Sequence, residues 1–95
     1  MALEVIWTQQ AQQQLADTIA YLQTLNNEQL LRRFSRQLDE KLELIKSHPQ
    51  MYQKSDQLEG ARRCVINKHY SLLYSHDTTF AYVLTLLDNR RKPDI

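Results

Sequence analysis

The feature that most constrains this fold is one change in hydrophobic period, from helical spacing before residue 50 to strict alternation after residue 61. Pro49 prevents a helix from continuing past about Ser47, because proline lacks a backbone N–H and restricts the residue before it. Gly60, the only glycine, lies in the polar connection that follows. The pattern therefore predicts helices before this connection and strands after it.

The chain opens with a short predicted strand and a first helix. Apolar side chains alternate over residues 3–7, which indicates a strand. Thr8 follows as an expected N-cap, because its hydroxyl can accept an unpaired backbone N–H, and the helix should run to about Leu25. The predicted core-facing stripe of this helix comprises Ala11, Leu15, Ile19, Leu22 and Leu25.

A second predicted helix follows almost at once. Asn26 or Asn27 should break the chain and cap this helix, and Gln29 is placed for a capping box if Asn26 is the cap. Because the connection is so short, the two helices should form an antiparallel hairpin. The predicted core-facing residues of the second helix are Leu31, Phe34, Leu38, Leu42 and Ile45.

Three alternating segments after residue 61 indicate three strands joined by short turns at residues 67–69 and 76–78. Such short connections predict antiparallel neighbours, and the last segment is apolar on both faces, which favours a central position. The predicted fold class is α+β: a two-layer sandwich of order β-α-α-β-β-β, with the helix hairpin on one face of a mainly antiparallel sheet. We expect one domain over residues 1–95, with the other sheet face partly open.

Composition excludes several functional classes. No apolar stretch approaches the roughly 20 residues that a membrane span needs. Cys64 is the only cysteine, so the chain can form no internal disulfide, and we expect a cytoplasmic protein. A chain with one glycine has no glycine-rich phosphate loop, and His48, Cys64, His69 and His76 lack the spacing of zinc ligands. The sequence therefore predicts neither a metal nor a cofactor.

Cations gather in the last third of the chain. Residues 60–95 contain six Lys or Arg against three Asp or Glu. We expect the start of the first meander strand and the end of the third to share one end of the sheet, opposite the first turn. Arginines there would bind a phosphate or carboxylate in bidentate fashion, unless they only solubilise strand ends. The residues concerned are Arg62 and Arg63 at the start, Lys68 and His69 in the turn, and Arg90, Arg91 and Lys92 at the end.

Four strings, in this order, resemble the RelE/ParE superfamily of toxins from type II toxin–antitoxin systems. They are VIWTQQAQQQLADTIAYL, IKSHPQMY, GARRCVINKHYSLLY and VLTLLDNRR, and together they extend over nearly the whole chain. The resemblance implies a small cytoplasmic toxin that is held inactive by a separate antitoxin protein. It leaves two molecular targets open, because the superfamily has two branches.

RelE-like members cleave messenger RNA on the ribosome with basic side chains that bind the phosphate. This resemblance carries Arg62, Arg63, His69 and Arg90 over as catalytic candidates, but Ser71 stands where RelE-like members place an arginine. The chain also has no tyrosine after residue 82, where RelE-like members supply one.

ParE-like members share the fold and inhibit DNA gyrase, and the strings HYSLLY and NRR look closer to that branch. We therefore predict a ParE-like gyrase inhibitor. The alternatives are an mRNA endonuclease and an inactive homologue that only binds an antitoxin. The predicted target-binding residues are Arg62, Arg63, Arg90, Arg91 and Lys92.

Overall fold

The computed structural model describes residues 2–90. Within them the chain forms six elements in the predicted order β-α-α-β-β-β. These elements are β1 (Glu4–Trp7), α1 (Gln9–Thr24), α2 (Glu28–Ser47), β2 (Arg62–Val65), β3 (Tyr70–His76) and β4 (Phe80–Asp88).

The four strands form one sheet of order β1-β4-β3-β2. The pairs β2–β3 and β3–β4 are antiparallel, whereas β1 pairs in parallel with β4. The prediction that the last strand is central is therefore confirmed, as is the α+β fold class. The two helices pack on one sheet face. On the opposite face Ile6 and Val65 are 39% and 49% exposed.

Local sequence signals fix the helix ends. The Thr8 hydroxyl accepts the Ala11 N–H at 3.1 Å, so the predicted cap of α1 is confirmed. Asn27 caps α2, and its side chain accepts the N–H of Gln29. The capping box that required Asn26 as the cap is therefore not formed. Asn26 instead adopts a left-handed φ of 52°, a conformation that asparagine tolerates better than most residues.

The core lies between the helix hairpin and the sheet. Its members come from all six elements or their immediate flanks, and the helical stripes predicted from periodicity supply most of the helix side. Leu25 is an exception: it is 44% exposed, because α1 ends at Thr24 and the chain turns there. The most completely buried apolar side chains are Ala11, Ile45, Cys64, Leu72, Tyr74 and Ala81.

An irregularity in β4 connects the sheet to α1. The β3–β4 register shifts between Leu73, which pairs with Thr85, and Tyr74, which pairs with Val83. Leu84 is the extra residue of this bulge, and its carbonyl accepts the Thr8 hydroxyl at 3.0 Å. The Thr8 side chain therefore caps α1 and also bonds to the central strand.

We expect Thr8→Ala to reduce the free energy of unfolding by about 1 kcal/mol, because it removes the cap and the bond to β4 together. Urea unfolding followed by circular dichroism would measure the change. Thr18→Ala is the matched control, since the Thr18 hydroxyl donates to the Gln14 carbonyl within the same helix. An equal loss in both variants would contradict the role of Thr8.

Burial also gives one tyrosine a pH-dependent contribution to stability. Burial raises the pKa of Tyr74 from its usual 10 to about 12, and its hydroxyl donates to the Pro49 carbonyl at 2.6 Å. A raised pKa in the folded state means that this contribution is complete below pH ~10 and is lost as the pH rises towards ~12. We expect unfolding free energy to fall less steeply over that interval in Tyr74→Phe than in the wild type. Identical slopes would contradict this assignment.

Candidate functional site

The strand directions place the predicted cations differently from our expectation. Because β2 and β4 are each antiparallel to β3, they run in the same direction. The start of β2 and the end of β4 therefore lie at opposite ends of the sheet. The expectation that these two points share one end of the sheet was wrong. The turn at Lys68 and His69 lies at the end of β4 instead, where the Asn89 N–H donates to the His69 carbonyl at 2.7 Å.

Arg62 belongs to the far end of the sheet. Its guanidinium Nη1 donates to the Tyr52 carbonyl at 2.7 Å and to the Gln50 carbonyl at 3.4 Å. These carbonyls belong to the connection between α2 and β2. Arg62 therefore fastens that connection to the sheet and does not join the cations at the end of β4.

Arg63 reaches the end of β4 through the length of its side chain. Its Nη2 donates to the Asn89 Oδ1 at 3.1 Å, and its Nε lies 3.4 Å from the Ser71 Oγ. The Ser71 hydroxyl itself donates to the same Asn89 oxygen at 2.7 Å. The Asn89 Nδ2 donates to the Asn67 carbonyl at 3.2 Å. One amide thus joins β2, β3, β4 and the β2–β3 turn.

Asn89 and Ser71 were not among the residues predicted to form the site. The sequence signal for Ser71 was the missing arginine at its position, and the structure shows a fully buried hydroxyl there. No comparable signal identified Asn89, because its five hydrogen-bond contacts depend on the strand register.

Arg90 pairs with an acidic neighbour. Its Nε and Nη2 donate to the two carboxylate oxygens of Asp88, both at 2.9 Å, in a bidentate ion pair. These hydrogen bonds raise the pKa of Arg90 further, so it remains a cation. The guanidinium also lies 5.8 Å from the centroid of the Tyr70 ring. An incoming anion would therefore meet a cation that already holds a carboxylate.

Arg90 lines a cleft of about 400 Å³ between α1 and the end of the sheet. Asp17 and Asp88 line the same cleft, so its charge is mixed. The His69 ring centroid lies 6.4 Å from that of Tyr70, the same ring that the Arg90 guanidinium approaches. The structure brings Arg63, His69 and Arg90 to one end of the sheet and leaves Arg62 at the other.

The remaining predicted site residues, Arg91 and Lys92, lie outside the described residues. Within residues 2–90, no cluster of three or more His, Cys, Asp or Glu side chains could hold a metal ion. Neither helix of this part of the chain is both long and apolar enough to span a membrane.

The family model that matches is that of the ParE toxin of the type II toxin–antitoxin system parDE, over residues 5–93. The chain belongs to this family. The resemblance inferred from the sequence is thereby confirmed, and the protein is a ParE-like toxin of a toxin–antitoxin system.

A solved structure is similar to the chain over most of its length. It is described as the chromosomal ParDE TA system from P. aeruginosa, with a TM-score of 0.75 and 12% sequence identity. The match covers 92% of this chain and 96% of the other. At this identity the similarity shows a shared fold. No curated protein sequence matches the chain significantly.

The Asn89 network can be tested through its buried hydroxyl. We expect Ser71→Ala to lower the free energy of unfolding by about 1 kcal/mol, because it removes the 2.7 Å bond to Asn89. Ser75→Ala, on the same strand and only half buried, is the control and should change it by less than about 0.5 kcal/mol. Chemical denaturation would measure both variants, and equal effects would contradict a specific role for the Ser71 hydroxyl.

Proposed function

We propose that this toxin arrests growth in the cytoplasm by inhibiting DNA gyrase, and that a separate antitoxin protein holds it inactive. The observation that carries the proposal is the family match over residues 5–93. The protein partner follows from the class, since the toxin of a type II system is paired with a protein antitoxin.

The contacts of the basic residues support protein binding over RNA cleavage. A ribonuclease needs donors directed at the developing charge on phosphate and a proton-transfer group within reach. Here Arg62 is bonded to backbone carbonyls, Arg63 to the Asn89 amide and Arg90 to Asp88. The hydrogen bonds described for these guanidinium groups therefore stabilise the fold. Their donors do not converge on one phosphate position.

The basic end of the sheet is the proposed contact with gyrase. Arg90 is 48% exposed despite its ion pair, and Arg91 and Lys92 follow it in the sequence. Rim cations of this kind attract an acidic partner surface and increase the rate of association. Arg63 bonds to Asn89, the residue that precedes Arg90, so we assign Arg63 a positioning role.

A DNA supercoiling assay with purified gyrase tests this proposal. The wild-type chain should inhibit supercoiling, and the double substitution Arg90→Ala with Arg91→Ala should weaken inhibition by about tenfold or more, through loss of two interfacial cations. Arg32→Ala is the matched control, because this arginine on α2 is 82% exposed and, within residues 2–90, pairs only with Glu28. It should inhibit gyrase as the wild type does.

Two further experiments distinguish the alternative functions, an mRNA endonuclease and an inactive homologue. Primer extension on cellular mRNA after induction would show cuts at defined codon positions if the chain were an mRNA endonuclease. Soluble expression without any effect on growth would indicate an inactive, antitoxin-binding homologue. Either result, together with unimpaired supercoiling, would overturn the gyrase proposal.

A further inference from the structure

Asp88 holds Arg90 through three hydrogen bonds at the end of β4. Asp88 is the last residue of that strand, and Arg90 follows two positions later. The Asp88 Oδ1 accepts both the backbone N–H and the Nε–H of Arg90 at 2.9 Å, and its Oδ2 accepts the Nη2 at the same distance. One carboxylate therefore fixes the backbone and the guanidinium of Arg90 together.

An aromatic ring holds the same guanidinium from another direction. Its central carbon lies 5.8 Å from the centroid of the Tyr70 ring. Tyr70 is only 6% exposed, so the ring is a fixed wall of the cleft that Arg90 lines. A cation over an aromatic face is attracted by the quadrupole of the ring. The chain thus supplies a guanidinium site for its own Arg90, formed by a carboxylate and a ring.

This internal ion pair is still open to solvent. The side chain of Arg90 is 48% exposed, and that of Asp88 is 23% exposed. Water and salt screen an ion pair at such a position, so the pair contributes little free energy. A partner that offers a better acceptor can therefore replace Asp88.

The geometry of the pair determines what a partner must offer. A guanidinium binds a carboxylate most strongly through two parallel N–H groups, and Asp88 already uses the Nε and Nη2 of Arg90 in this way. An acidic side chain that bound the same edge would have to displace Asp88. It would exchange one carboxylate for another, and the two anions would repel each other. A single surface carboxylate would therefore gain little from Arg90.

We propose that Asp88 is a specificity-determining residue, which competes with the carboxylates of an acidic protein partner for Arg90. A partner gains from Arg90 only where several acidic groups lie together, because their combined attraction offsets the loss of the internal pair. Asp88 thus restricts the basic end of the sheet to strongly acidic surfaces. This inference rests on the proposed function in so far as it takes gyrase as the partner.

Asp88→Asn provides the test. The amide keeps an oxygen that can accept the backbone N–H of Arg90, but it has no charge and its nitrogen cannot accept the Nη2. We expect this variant to inhibit supercoiling about two- to fivefold more strongly than the wild type, because the guanidinium becomes available to gyrase. Supercoiling assays over a range of toxin concentrations measure the change. Misfolding could not produce a gain of inhibition.

Asp17→Asn is the matched control. Asp17 lines the same cleft as Arg90, and this substitution changes the net charge by the same amount. Its carboxylate accepts the Gln13 Nε2 at 3.0 Å within α1. We expect Asp17→Asn to increase inhibition by less than about 1.5-fold, through long-range charge alone. Equal gains in the two variants would assign the effect to net charge and overturn the inference.

A double-mutant cycle separates Arg90 from any other contact of Asp88. The gain produced by Asp88→Asn should disappear in an Arg90→Ala background, since no guanidinium remains to be released. An equal gain in both backgrounds would overturn the inference. Weaker inhibition by an Asp88→Asn protein that circular dichroism shows to be folded would also overturn it, because Asp88 would then position Arg90 for binding.

Two readouts do not require gyrase. In nitrogen-labelled protein, NMR should show that the Arg90 Nε–H exchanges with solvent faster in Asp88→Asn than in the wild type, because it loses a charged acceptor. Growth arrest after graded induction should require less Asp88→Asn protein than wild type. Equal exchange rates would overturn the inference for any target. If the wild type fails to inhibit gyrase but both readouts change as expected, only the proposed target is wrong.

Discussion

The fold depends on how the backbone groups of the central strand β4 are paired along the edge that faces away from β3. β1 covers this edge only from Phe80 to Val83, since β1 ends at Trp7. Beyond that point α1 and its N-cap supply the partners: Thr8 bonds to the bulged residue Leu84, and the Gln14 Oε1 accepts the Leu86 N–H at 2.8 Å. A buried strand cannot leave backbone groups unpaired without a cost in free energy. Side chains of α1 therefore decide where the helix hairpin sits on the sheet.

The direction of β4 then determines which basic residues can act together. Its end lies beside the β2–β3 turn, so Arg90 and His69 become neighbours around Tyr70. Arg62, at the opposite end, is limited to holding its connection. Arg63 takes part only because its long side chain reaches Asn89. What results is a basic end of the sheet in which Asn89 holds the Arg63 guanidinium and Asp88 holds that of Arg90.

The sequence predicted the features that depend only on residues close together in the chain. Thr8 was recognised as a cap because hydroxyl capping needs only adjacent residues, and Phe34 and Ile45 were recognised from helical spacing. The predicted position of the cations was wrong, because it depends on the direction in which each strand runs within the sheet. The role of Asn89 was missed for a related reason. Its partners lie on β2, on β3 and in the turn between them, and a bulge that no motif indicates shifts the register of β4 against β3.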